Sequence, residues 1–230
     1  MTLLSFYYKI AKTEHFYKGF VPGRPVMTIK AVIFDLFDVL FLAQDFTQRR
    51  AYEQRMGLME NGLLHAMLQT PQFRKAVTGH IPASALWQHV ALSIGDNPQN
   101  WQNIANIFFS ANRVNMELVA FIRTLRPHYK TAILSNAPYD IRTQVTQRFH
   151  LDHEVDTIII SAEEGMRKPH PEIFHLAATR LHVHPQEALF IDDESRFIEG
   201  AQAVGMIGVQ FKNNRQAIAD IQKHLDLNRF

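Results

Sequence analysis

The chain contains no cysteine, which excludes a disulfide frame, a thiolate nucleophile and any thiolate-based metal site. That absence fits a reducing compartment, so a cytoplasmic location is expected. Long apolar runs are missing as well. The apolar opening from Leu3 to Tyr8 is interrupted by Lys9, far short of the ~20 residues that a membrane-spanning helix requires. The same region lacks the basic start and small-residue cleavage site of a secretory signal. Charge of one sign is scarce: 24 Lys and Arg stand against 22 Asp and Glu in 230 residues. Residues 1–27 hold Lys9, Lys12, Lys18 and Arg24 against Glu14 alone, a net +3, so the remainder sums to −1. No basic face for a phosphate backbone is present, and neither nucleic acid nor membrane is an expected partner. Oligomeric state is not readable from the sequence.

What is present is a set of short apolar runs that stop at polar groups. The first, Lys30-Ala-Val-Ile-Phe-Asp-Leu-Phe-Asp-Val-Leu-Phe41, passes from an apolar stretch at Ala31 to Phe34 straight into Asp35, with Asp38 close behind. Thr131 to Leu134 ends at Ser135-Asn136, Thr157 to Ser161 precedes Arg167-Lys168-Pro169, and Ala188 to Ile191 ends at Asp192-Asp193. Such runs read as strands buried on both faces, the signature of a parallel sheet covered by helices. Ligands of such sheets gather at the carboxyl ends of the strands. Helical spacing at Val114, Leu118, Ile122 and Leu125, at Ile141 to Phe149, at Ile173, Phe174, Ala177 and Leu181, and at Ile218, Ile221 and Leu225 completes an alternating β/α order. The expected fold class is therefore α/β and Rossmann-like, with helices on both faces of a parallel sheet.

Between the first two strands, residues 43–113 carry helical patterning and no strand-like run. A segment of that length is not a structureless loop in a compact domain, and it reads as a small all-helical subdomain with breaks near Pro71, Pro82 and Pro98. The expected division is an N-terminal extension at 1–27, a core formed by 28–42 and 114–230, and the helical subdomain at 43–113. Pro22-Gly-Arg-Pro25 reads as a turn or linker, and Met27 is the expected functional start.

Asp35 is the leading chemical candidate, because a carboxylate at the tip of an apolar strand is costly to bury without a cation or donors. Asp192 and Asp193 would repel each other and Asp35 unless a hard cation joined them, and Mg2+ suits an all-oxygen site. Ser135 and Asn136 would offer a hydroxyl and N–H groups to phosphate oxygens, with Lys168 supplying positive charge and Arg167 as the neighbouring alternative. Among the 12 His residues, the pairs His182/His184 and His150/His153 lack a completing cluster in the sequence.

In that order, Asp35, Ser135, Lys168 and Asp192/Asp193 resemble the four motifs of the haloacid dehalogenase-like (HAD) hydrolase superfamily, over roughly residues 28–212. The resemblance implies a five-stranded parallel sheet, a C1-type helical cap and phosphoryl transfer through a phospho-aspartate on Asp35. It also implies Mg2+ held by Asp35, the backbone carbonyl of Phe37 and one or both of Asp192 and Asp193. Two positions depart from the pattern. Phe37 stands where family phosphatases carry a second Asp as general acid and base, and Phe197 stands where relatives often have Asn or Asp beside the Lys and metal. The expected function is a Mg2+-dependent phosphohydrolase of a small phosphorylated molecule, with sugar phosphates that have a good anomeric leaving group best able to tolerate Phe37. A 2-haloacid dehalogenase and a binding or regulatory protein that has lost turnover are the alternatives.

Overall fold

A computed structural model describes residues 28–225; the expectations for 1–27, Met27 included, lie outside the described residues. The strands are β1 (Ala31–Phe34), β2 (Phe41–Ala43), β3 (Asn112–Val114), β4 (Lys130–Ser135), β5 (Thr157–Ile160), β6 (Ala188–Asp192) and β7 (Ile207–Gln210). Five of them form one parallel sheet in the order β5-β4-β1-β6-β7. The expected α/β fold with helices on both faces is observed.

Period-two alternation along β1 builds the core on both sides of the sheet. Val32 and Phe34 face one cluster, which includes residues of helices Met116–Leu125 and Asn214–His224 and of the helical segment after β2. Ala31 and Ile33 face the other, built by helices Pro171–Arg180 and Ser195–Ala203. All four side chains are fully buried, and Phe34 alone contributes roughly 1.5–3 kcal/mol by leaving water. Register then sets the site. Phe34 pairs level with Ile133 on β4 and Ile191 on β6, and the Asp35 N–H donates to the Ile191 carbonyl at 2.8 Å. The residue after β1 is thereby brought beside the ends of β4 and β6. The chain fills β4 and β5 on one side of β1 before returning to β6 and β7 on the other, which opens a crevice at the carboxyl ends where the order reverses.

Five helices occupy the segment between β2 and β3: Thr47–Arg55, Gly62–Gln69, Pro71–Val77, Ala83–Ser93 and Trp101–Phe109. Pro71 occupies the first helical turn, where its missing N–H costs nothing, and the Thr70 hydroxyl accepts from the Gln72 N–H at 3.2 Å. Contrary to the expectation of no strand near this segment, β2 and β3 close its two ends as an antiparallel pair, Phe41 opposite Val114 and Ala43 opposite Asn112. Val114 thus belongs to β3 rather than to the helical stripe, because Asn115 caps the following helix by accepting from the Leu118 N–H. The helix expected over Ile141 to Phe149 forms, with α-helical bonding only at Ile141–Thr143. It then widens into a π turn at Gln144–Arg148, marked by the Phe149 N–H bonded to the Gln144 carbonyl.

Beyond that shared apolar core, a buried polar tie joins the helical segment to the sheet. Ser161, directly after β5, donates its hydroxyl to the Val77 carbonyl at 2.5 Å and accepts from the Ala137 N–H at 3.0 Å. Gly79 lies beside this tie at φ +72, and a Cβ there would sit 2.3 Å from the Ala162 carbonyl oxygen, so both backbone angle and space require glycine. Among the described residues no helix is long and apolar enough to cross a membrane.

Candidate active site

Lys168 is the hub of the carboxyl-end crevice. It is fully buried, and its Nζ lies 2.7 Å from Asp35 Oδ1 and 2.6 Å from Asp192 Oδ2. A solvated surface lysine is excluded by this geometry. Asn136, just past β4, clamps the Lys168 backbone: its Oδ1 accepts from the Lys168 N–H at 2.8 Å and its Nδ2 donates to the Lys168 carbonyl at 3.0 Å. The side chain of Asn136 is therefore committed to positioning the lysine, and its reading as a substrate contact narrows to its backbone N–H. Two ring faces cover the ammonium, Phe197 at 4.8 Å and Phe190 at 5.3 Å. Phe197 thus takes the place of a polar supporting residue by a cation–π contact, and it carries Arg196 at 4.6 Å as well.

Asp35 is 6% exposed. Burial drives its carboxyl up, Lys168 pulls it back and Asp192 pushes again, leaving it at about 8. Burial lowers Lys168, but Asp35 and Asp192 more than offset this and hold the ammonium above the ordinary lysine value. The two directions are compatible: one ammonium between two dry carboxylates neutralises one of them and leaves a proton with the other. Both Asp192 oxygens are engaged, Oδ2 with Lys168 and Oδ1 accepting from the Glu194 N–H at 2.9 Å, and each keeps a second lone pair. Asp193 lines the cleft, and burial, then Asp192 and Asp38, raise its carboxyl to about 6. Asp38, in a left-handed turn at φ 57, also lines the cleft and is raised by partial burial and by Glu194.

Oxygens of Asp35, Asp192 and Asp193 all lie within 4.8 Å of one another. The three acids that the sequence placed far apart therefore converge, with more negative charge than Lys168 can balance. Hard oxygen donors gathered this closely, with Asp192 pushing up the carboxyls of both Asp35 and Asp193, fit a small divalent cation such as Mg2+. Ser135 is fully buried, lines the same cleft and keeps its Oγ without a hydrogen-bond partner, which suits a group that an incoming ligand would satisfy. Arg167 and Arg196 flank the cleft. Arg196 pairs with Glu194 at 2.5 Å rather than with Asp193.

Sequence reasoning missed Glu194 and the roof of the cleft, where Arg49 and Trp87 join Phe37, Phe108 and Phe109 in a space of about 500 Å³. Spacing alone held a signal for Arg49: with Tyr52 and Glu53 it falls at i, i+3 and i+4, one face of a helix, and that face is the buried one. The histidine reading also needs correction. His150, Asp152 and His153 offer ligand atoms within 4.8 Å of one another on the surface, so Asp152 completes the group that the His pair lacked in the sequence.

Fold and site define a class: an α/β protein with acids gathered about a buried lysine at the carboxyl ends of its central strands. The chain belongs to the haloacid dehalogenase-like hydrolase family, which matches residues 29–205. It is 27% identical over 217 residues to bifunctional epoxide hydrolase 2 of Sus scrofa, a match covering 86% of this chain and 39% of that protein. It thus spans well under half of that relative. Against glyceraldehyde 3-phosphate phosphatase of Pyrococcus furiosus the identity is 27% over 209 residues, covering 84% and 85%. An aspartate-to-alanine variant of a HAD family enzyme from Bacteroides thetaiotaomicron, solved with magnesium and inorganic phosphate, superposes with a TM-score of 0.65 at 21% identity, covering 80% and 94%. That likeness shows the fold.

Proposed function

We propose that the chain is a Mg2+-dependent phosphohydrolase of small soluble phosphate monoesters, working in the cytoplasm, with the helical segment 43–113 as its cap. The observation that carries this reading is the convergence of Asp35, Asp192 and Asp193, the first two of them paired with Lys168. An Asp35 oxygen attacks phosphorus, the bond from phosphorus to the leaving oxygen breaks, and a phospho-aspartate forms. Water then attacks that phosphorus, the bond to Asp35 breaks, and inorganic phosphate leaves as the Asp35 carboxylate returns. Lys168, the Ser135 hydroxyl and the Asn136 N–H hold phosphoryl oxygens through both steps. Asp35, Asp193 and the Phe37 carbonyl would hold the metal, and Asp192, already bonded to Lys168 and Glu194, fixes the lysine and completes the acid cluster. When bound, Mg2+ supplies charge that favours the ionised form of Asp35 and polarises a phosphoryl oxygen. The Bacteroides enzyme, of the same fold, was solved with magnesium and inorganic phosphate, which supports magnesium as the metal and a phosphoryl group as the ligand.

Phe37 offers no proton to the leaving group, so this chemistry favours esters whose leaving oxygen departs unaided. The same residue keeps the 2-haloacid dehalogenase as a second reading, because a halide needs no proton. The acid cluster favours the first. Phosphate release from an ester panel, dependent on Mg2+ and abolished by Asp35→Asn, is the expected result. Metal-independent release, release that survives Asp35→Asn, or halide release in EDTA would overturn it. Binding of Mg2+ and phosphate with no turnover of any ester would instead favour a regulatory protein.

A further inference from the structure

The roof of the cleft holds two donors that the chemistry at Asp35 leaves unused. Arg49 is 5% exposed. Its Nε donates to Glu53 Oε1 at 3.3 Å, its Cζ lies 5.0 Å from the Phe108 ring centroid, and its Nη2 is buried without a hydrogen-bond partner. Trp87, 1% exposed, packs on the same Phe108 ring at 5.2 Å between centroids, and its Nε1 is likewise buried and unpartnered. Both residues line the cleft that contains Asp35, Ser135 and Lys168.

Buried donors without acceptors are rare in folded proteins. Two of them sharing one ring, at the wall of a cleft of ligand size, indicate an acceptor that a ligand brings. Glu53 limits what that acceptor can be. Its Oε1 also accepts from the Leu63 N–H at 3.0 Å, so it is held in place beside Arg49 and disfavours a second dianion in the roof. A carboxylate, with one negative charge and a planar pair of oxygens, matches a guanidinium edge and a neutral indole N–H. The rest of the lining is mixed: Asn61, His65 and Asn112 add polar groups, while Phe37, Phe41, Phe73 and Phe109 supply apolar faces, against which sugar hydroxyls would lose their hydrogen bonds to water.

We infer that the substrate is a phosphomonoester with an apolar, ring-like body and a carboxylate at the end remote from phosphorus, the carboxylate being taken by Arg49 and Trp87. The inference rests on the phosphohydrolase reading and narrows it away from sugar phosphates.

The test is calorimetric binding of two non-hydrolysable probes in Mg2+, benzylphosphonate and para-carboxybenzylphosphonate. The carboxylated probe is expected to bind about tenfold tighter or more, the scale of a charge-assisted hydrogen bond. In Arg49→Met, which keeps the apolar stem over Phe108, that ratio falls towards one. Trp87→Phe, which keeps a ring and loses the N–H, reduces it in part. Arg50→Met removes an exposed charge from the same helix, loosely paired with Glu60 at 3.6 Å, and leaves the ratio intact. Equal affinity of the two probes, or a ratio that survives Arg49→Met, overturns the inference and leaves the phosphohydrolase reading standing. Failure of both probes to bind counts against that reading and this inference together.

Discussion

Lys168→Met tests whether the charge balance of the site has been assigned correctly. Methionine keeps an unbranched apolar stem and removes the ammonium lying 2.7 Å from Asp35 and 2.6 Å from Asp192. With Asp35 already raised to about 8 by burial, removing the ammonium leaves Asp192 as a second buried carboxylate without its counter-charge. That group must then stay ionised in a dry environment or bind a proton. Protonation caps the cost: raising a carboxyl from an ordinary pKa of about 3.9 until it is neutral at pH 7 costs about 1.4 kcal/mol per unit, or ~4 kcal/mol. Removing one partner of a buried ion pair costs ~3–5 kcal/mol by another route, and the two figures agree. At roughly 2–4 °C per kcal/mol for a domain of this size, Tm should fall by roughly 8–16 °C.

The dependence on pH gives the sharper measurement. A carboxyl whose folded pKa is raised imposes no penalty below its unfolded pKa, and the penalty grows as pH rises towards the folded value. In EDTA, the deficit of Lys168→Met relative to wild type should therefore be about 1.5 kcal/mol at pH 5 and ~4 kcal/mol at pH 7, a slope of about 1.4 kcal/mol per pH unit. Calorimetric unfolding at several pH values measures it. Saturating Mg2+ should restore part of the loss, ~2.7 kcal/mol at a hundredfold excess over Kd. A wild-type Tm for the variant in EDTA at pH 7, or a deficit that does not change with pH, would refute the assignment.

Two further outcomes test other parts of the chain. Phe37→Asp places a proton donor where the resemblance implies one, at the cost of ring contacts 6.1 Å from both Phe41 and Phe109. It should raise kcat/KM for alkyl phosphates relative to aryl phosphates by about 10²-fold or more; an unchanged dependence on leaving-group pKa would show that another group already donates. Tyr52→Phe removes the hydroxyl that donates to Asp96 Oδ2 at 2.6 Å and should cost about 1 kcal/mol. That hydrogen bond is the main cause holding Asp96 below the ordinary carboxylate value. Its contribution is complete above about pH 5 and is lost as pH falls through the lower folded pKa, so the Tm difference should be flat from neutral pH to about 5 and shrink in stronger acid.

The sheet was legible because β1, β4, β5 and β6 are apolar runs buried on both faces, and a parallel register turns runs ending in polar residues into polar groups on one rim. What escaped the sequence has local causes. Strands β2 and β3 are three residues each, too short to show a period, and their pairing depends on the ends of a long segment meeting. Arg49 and Glu53 leave one trace in the sequence, the helix face they share with Tyr52, and packing against Phe108 and the Leu63 backbone is what turns this charged pair inward.

Phe197 shows how a motif departure can be misread. In the sequence it is a missing polar neighbour for Lys168. In the structure it is a ring face on the ammonium, joined by a second from Phe190. Rings hold the charge by their quadrupole and exclude water in the same act, which lowers the local dielectric and strengthens the attraction of Lys168 for Asp35 and Asp192. The chain has therefore exchanged hydrogen-bonded support for a drier pocket around the same lysine. In such a pocket the two carboxylates depend more heavily on every cation beside them, which is why removing one ammonium should be felt by the whole fold and not only by the reaction.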